Sequence, residues 1–150
     1  MVAKLTVKQF VVCDDIRREM TGKEILIGVY GSNIAVPSFP APLNLAFWMQ
    51  FDSTEATPSP IIVEFQLMGE NDAKFASLAV QLLIAKAGLG TLALPAIPVS
   101  LQIPGNLMLQ MKQQGGEWET VGTVGVEKGG GAISFMPPLG DFPWEAKRPA

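Results

Sequence analysis

Between its turn residues this chain alternates apolar and polar side chains with a period of two almost everywhere. In "LNLAFWMQFD" one face carries Leu43, Leu45, Phe47, Met49 and Phe51, and the other carries Asn44, Ala46, Trp48, Gln50 and Asp52. Successive side chains of an extended strand point to opposite faces, so such a segment buries one whole face only as a strand. The same pattern sets Ile61, Val63, Phe65 and Leu67 on one face of "IIVEFQLM", and Leu78, Val80, Leu82 and Ile84 on one face of "SLAVQLLIA". Ile97, Val99, Leu101 and Ile103 follow in "IPVSLQIP", then Leu107, Leu109 and Met111 in "NLMLQMK". Upstream, "LTVKQFVVC" and "EILIGVY" give two more strands, and downstream a Gly-Gly turn leads into a return strand with Trp118, Val124 and Val126.

The breakers "GSN", "PSFPAP", "STEATPSP", "GENDA", "AGLG", "PG", "GG" and "KGGG" fall between these runs. About eight strands at this spacing, with no segment of helical period, predict an all-β fold: a single antiparallel β-sandwich. Pro98 and Pro104 lack the N–H that a central ladder needs, which places "IPVSLQIP" at a sheet edge or a bend. The sandwich domain is expected over residues 1–131. Residues 132–150, "AISFMPPLGDFPWEAKRPA", are rich in proline yet carry Phe135, Met136, Phe142 and Trp144, which predicts an extended apolar arm packed on its own sandwich or on a neighbouring subunit.

At 150 residues the chain is long enough to bury about two thirds of the surface it would expose unfolded, so the core needs no staples. One cysteine excludes a disulfide within the chain, and a reducing compartment is expected, the cytoplasm or a virion if the gene is phage-borne. The start, "MVAKLTVKQFVV", is broken by Lys8 and Gln9 and lacks the makeup of a secretory signal. The most apolar window, "ASLAVQLLIAKAGLGTLALPAIP", is interrupted by Lys86, glycines and prolines, and reads as two buried strands rather than a membrane span. A net charge of −3 with scattered basic residues gives no footprint for nucleic acid or anionic lipid. Only 17% of residues are charged against 48% hydrophobic, where an average soluble domain carries about 25% charged, so part of the surface is expected to be covered by another protein or a copy of the chain.

Histidine is absent, which removes Ser-His-Asp and Cys-His catalysis and His-containing zinc sites together. The one dense polar cluster lies in "VVCDDIRREMTGKEILIGVYG": Cys13, Asp14, Asp15, Arg17, Glu19, Gly22 and Lys23. Cys13 would be a nucleophile if Arg17 or Lys23 lowered its pKa, but the adjacent Asp14 and Asp15 act the other way, and a structural cysteine at a strand end is the expectation. The carboxylates lack the alternating spacing and sharp-turn glycine of a calcium loop. No spacing among the fourteen acids selects a glycosidase pair. "KGGGAI" and "AGLGTL" carry neither phosphate-binding pattern and precede no helix, so no cofactor is expected. The cluster therefore predicts a corner in which Cys13 ends the first strand, Asp14 or Asp15 bonds backbone N–H groups, "IRREM" makes one helical turn, and Gly22-Lys23 starts the next strand. Trp48 and Met68 sit on the polar faces of their strands, either under the arm or as interface anchors.

The stretch "FVVCDDIRREMTGKEILIGVYGSNIAVPSFPAPLNLAFWMQF" resembles the opening of an uncharacterised family of small bacterial and phage-associated proteins, a domain of unknown function. Its members share a Cys-Asp-Asp-like corner, a Gly-Lys turn, LIGVY-like residues and a proline-marked link into an aliphatic strand. "IPGNLMLQMKQQGGEWETVGTVGVE" is similar to their closing hairpin, while the apolar tail departs from the family pattern. The resemblance implies an immunoglobulin-like sandwich and no known catalytic residue.

The expected function is non-enzymatic: a binding or assembly module acting through a homo-oligomeric or protein–protein interface that includes Trp48, Met68, Phe142 and Trp144. The alternatives are a phage virion decoration protein, and a small-molecule binder or enzyme using Asp14, Asp15, Arg17 and Glu19.

Overall fold

The computed structural model describes residues 3–31 and 33–129. Among them are nine strands: β1 (Leu5–Arg18), β2 (Glu24–Val29), β3 (Asn33–Val36), β4 (Ala41–Ser53), β5 (Ile61–Met68), β6 (Lys74–Leu82), β7 (Gly88–Leu101), β8 (Gly105–Gln113) and β9 (Trp118–Lys128), with a 3-10 turn at Glu70–Asp72. They form two sheets, ordered β2-β1-β4-β7 and β3-β9-β8-β5-β6. The protein is all-β and built as a sandwich, and no helix among the described residues is long and apolar enough to cross a membrane.

The core lies where the period-two pattern places it. Leu45, Phe47 and Met49 of β4 face Val63, Phe65 and Leu67 of β5 and Leu107 and Leu109 of β8, each no more than 1% exposed. Removing a side chain of this size from water contributes about 1.5–3 kcal/mol, which explains why these three strands sit inside their sheets. Phe10 and Phe47 stack at 5.8 Å between ring centroids. Phe10 also presses on Gly122 of the opposite sheet, where a Cβ would collide with the ring, so the glycine is the socket that lets the two layers close.

Of the four register shifts in the ladders, the two in the four-stranded sheet tune the alternation. In β1, Val7 pairs with Phe51 and Gln9 with Gln50, so Lys8 is an extra residue and the inward positions run Leu5, Val7, Phe10, Val12. Between β4 and β7, Leu45 pairs with Ile97 and Phe47 with Leu94, which sets Pro95 and Ala96 against the single Ala46. Both Pro95 and Pro98 are tolerated because β7 is an edge strand, as Pro98 led one to expect, while Pro104 falls beyond its end at Leu101. Across the layers, the Gln113 side chain takes the Leu5 N–H at 2.8 Å and donates to the Leu5 carbonyl at 2.9 Å, imitating a strand partner for the start of β1.

Three features differ from the sequence expectation. β3 is an added strand, four residues squeezed between two breakers, and it pairs parallel to β9, so the sheets are not wholly antiparallel. β7 is one strand of 14 residues rather than the shorter "IPVSLQIP", since leucines and threonine downstream of "AGLG" continue its ladder with β4. The corner at Cys13 is absent. β1 runs straight through Cys13, Asp14 and Asp15 to Arg18, pairing Asp15 with Ile27, Ile16 with Leu26 and Arg17 with Ile25. "IRREM" is no helical turn because Ile16 and Arg17 are already committed to that ladder. The chain reverses later, where the Gly22 N–H donates to the Glu19 carbonyl at 2.9 Å and the Glu19 N–H to the Lys23 carbonyl at 2.7 Å. The arm expected over 132–150, with Phe142 and Trp144, lies outside the described residues.

Candidate interaction surface

The β1–β2 hairpin brings the polar cluster together and shows what each member does. Asp14 lies opposite Gly28, whose φ is +67° and where a Cβ would run into the Asp14 carboxylate. Glycine is thus required twice at this position, for the left-handed backbone and for the space. The carboxylate accepts the Tyr30 hydroxyl, and the Tyr30 N–H donates to the Val12 carbonyl at 2.9 Å, which ties the end of the hairpin back to β1. Asp15 accepts the Ile16 N–H at 2.9 Å and pairs with Arg17 at 3.5 Å. Lys23 and Glu19 pair at 3.6 Å across the turn.

Cys13 is fully buried and lies within reach of the carbonyls of Asp15, at 3.4 Å, and Ala46, at 3.7 Å. Burial pushes its thiol above the ordinary range, and the charges of Asp14 and Asp15 push the same way. The thiolate, which is the nucleophile, is disfavoured twice over, so the side chain is structural.

Phe10 and Val12 point into the core, which makes Cys13 and its partner Ala46 outward residues of their sheet. Yet both are fully buried, so this sheet is covered on its outer side here. Glu24 identifies the cover. Its Oε1 accepts the Trp48 indole N–H at 3.3 Å and the Thr91 hydroxyl at 3.3 Å, while Arg18 approaches Oε2 at 3.7 Å. Thr91 is on β7, three strands from β2 in the sheet order, about 14 Å at the usual spacing. A glutamate side chain spans that gap only if the distal half of the hairpin folds across the outer faces of β4 and β7. The Glu24 side chain is 11% exposed, and its three polar partners offset the cost of burying a carboxylate.

Folding over in this way leaves one face of β2 uncovered. Ile25, Ile27 and Val29 stand opposite Arg17, Asp15 and Cys13 and are 44%, 37% and 56% exposed. On the opposite side of the sandwich, Ile62 is 50% and Leu83 67% exposed beside β6. Trp48 is half-buried under Glu24, and Met68 is half-buried opposite Met108 on β8. The sequence singled out Trp48 and Met68 but missed the β2 stripe, for which glycine inside the "EILIGVY" strand pattern was the available signal of a special approach.

An apolar recess of ≈ 310 Å³ opens at one end of the sandwich, between Gly69, Phe75, Ile103, Pro104 and Leu107. Its carboxylate, Glu70, already accepts the Asn106 N–H at 3.3 Å. Among the described residues no cluster of three or more His, Cys, Asp or Glu side chains is placed to hold a metal ion. No protein-family model matches the chain, and no curated protein matches it.

The Tyr30 hydroxyl makes the hairpin's anchoring testable. Burial, the hydrogen bond to Asp14 and that carboxylate's charge push its pKa up to about 12 from 10.0. The folded protein therefore keeps a proton that the unfolded chain releases near pH 10, so this stabilisation is complete below pH 10.0 and is lost as pH rises towards about 12. Denaturant unfolding across that window should show a steeper loss for the wild type than for Tyr30→Phe. Parallel curves would mean that the hydroxyl has no protected environment.

Proposed function

We propose that the protein is a non-enzymatic, immunoglobulin-like β-sandwich that serves as a binding or assembly module, acting through contact with another protein or with a copy of itself. The observation that carries this function is two separate groups of uncovered aliphatic side chains, one at an edge of each sheet: Ile25, Ile27 and Val29 on β2, and Ile62 and Leu83 beside β6. Contiguous exposed apolar surface is costly in water and is a regular mark of protein contact. The hairpin's polar groups support the same conclusion, because its carboxylates accept from one another's neighbours and its cations are paired, which speaks against a ligand site there. The order β1-β4-β7 facing β3-β9-β8-β5-β6, with β3 parallel to the last strand, supports the immunoglobulin-like assignment.

Light scattering on the full chain and on a chain lacking residues 132–150 tests the function. The full chain is expected to show a mass above the 16.1 kDa of one copy. A clean monomer from both chains would overturn it.

A further inference from the structure

Every open sheet has edges, and an edge presents unpaired backbone N–H and C=O groups to any strand that can reach them. Among the described residues the two sheets have four edge strands, and three of them carry a device that blocks such pairing. β7 contains Pro95 and Pro98. β3 is only four residues long and is followed directly by Pro37. β2 is six residues long, starts at Glu24, and is interrupted by Gly28 at φ +67°.

β6 has none of these. Its nine residues, "KFASLAVQL", contain no proline or glycine, and from Phe75 through Ala85 the chain holds no charge at all. It is paired to β5 along its length with a single irregularity at its start, where Met68 meets Lys74. The core also runs out unfinished at this edge. Val63, Phe65 and Leu67 of β5 are no more than 1% exposed, whereas their partners Val80, Leu78 and Ala76 on β6 are only half-buried.

We propose that β6 is the contact by which two copies of this chain associate, pairing antiparallel with the β6 of a second copy to join two five-stranded sheets into one. This identifies a partner for the assembly function proposed above and rests on it. A second copy fits because of symmetry: on a two-fold axis each residue meets a residue of its own strand, so any charge near the axis meets a like charge. An uncharged strand escapes that repulsion. The register follows from the same argument. With Ala79 on the axis, the smallest side chain stands where the two strands face each other, Leu78 meets the partner's Val80, and Ala76 meets the partner's Leu82. The inward row of one sandwich thereby continues into the next, while Lys74 falls beyond the paired segment. On the outward face Ser77 meets the partner's Gln81. An isologous pair of this kind uses up both edges and stops, so it ends in a dimer rather than a fibre.

The register supplies the test. Ser77 and Gln81 are exposed, their direct partners on β5 are the uncharged Gln66 and Ile62, and the one carboxylate diagonal to both, Glu64 opposite Ala79, is common to every variant. Sedimentation velocity on the full chain should show a dimer that dissociates on dilution. The double variant Ser77→Lys, Gln81→Lys sets lysine against lysine twice and should weaken dimerisation by about tenfold or more. The double variant Ser77→Lys, Gln81→Glu sets lysine against glutamate twice and should dimerise at least as well as the wild type. Unfolding curves on both variants establish that each is folded. Equal dimerisation by the two variants would overturn the β6 pairing, and if Ile25→Lys, Ile27→Lys then abolished association, the assembly function would stand with a different interface. A wild-type chain that is monomeric throughout would overturn both.

Discussion

Phe47→Ala is expected to cost about 3–5 kcal/mol of stability, the range for emptying a large aromatic site in a close-packed core. Phe47 is 1% exposed and stacks on Phe10 at 5.8 Å, and Phe10 in turn fills the socket at Gly122 on the other sheet. The substitution therefore removes one ring of the Phe10–Phe47 stack within their own sheet, and Phe10, which reaches the other layer at Gly122, loses its support. Neighbouring strands are held by their ladders and cannot collapse into the space, which puts the loss towards the upper end. Urea unfolding followed by tryptophan fluorescence should show a lower midpoint with the slope unchanged. Ile27→Ala, at an exposed position in the same sheet, should stay within about 0.5 kcal/mol of the wild type. A Phe47→Ala loss below that of Ile27→Ala would mean that the faces of β4 are reversed.

Gly28→Ala is the second large effect, about 2–4 kcal/mol, and it has two separable sources. The backbone at φ +67° is strained for any residue with a Cβ, and the new methyl would meet the Asp14 carboxylate. Repeating the substitution in an Asp14→Ala background removes the collision and leaves only the backbone strain, so the loss there should be roughly half as large. Equal losses in the two backgrounds would show that the carboxylate does not lie against Gly28. The substitution should also loosen the distal hairpin, because Asp14, Gly28 and Tyr30 form its hinge. Fluorescence of Trp48 would report this, since its indole N–H is held by Glu24 across the sheet.

How much of this was legible in the sequence depended on whether the signal was local. The inward rows of β4, β5 and β8 were legible because a strand displays its burial in its own alternation, and Val63, Phe65, Leu67, Leu107 and Leu109 are buried as that pattern requires. The edge position of β7 was legible because proline states its own hydrogen-bonding deficit. β3 was hidden because four residues between a glycine turn and a proline are too few to alternate visibly, and its parallel pairing with β9 is a long-range fact. The cluster at Cys13 misled for a definite reason. Asp14 and Asp15 are strong turn formers in isolation, and only the partner strand, with Gly28 opposite Asp14, allows them to remain extended. The exposed stripe on β2 was missed because "EILIGVY" alternates like any half-buried strand, and its glycine marks a special position without saying which face stays exposed. Which of its faces is left uncovered is decided by the hairpin folding across β4 and β7, through contacts 67 residues apart such as Glu24 with Thr91.

The function proposed here turns on association, and the solution mass of the untagged full chain as a function of its concentration tests that most directly. The expected result is a mass that climbs with concentration from the 16.1 kDa of one chain towards twice that value. A mass that stays at 16.1 kDa at every concentration would contradict the account.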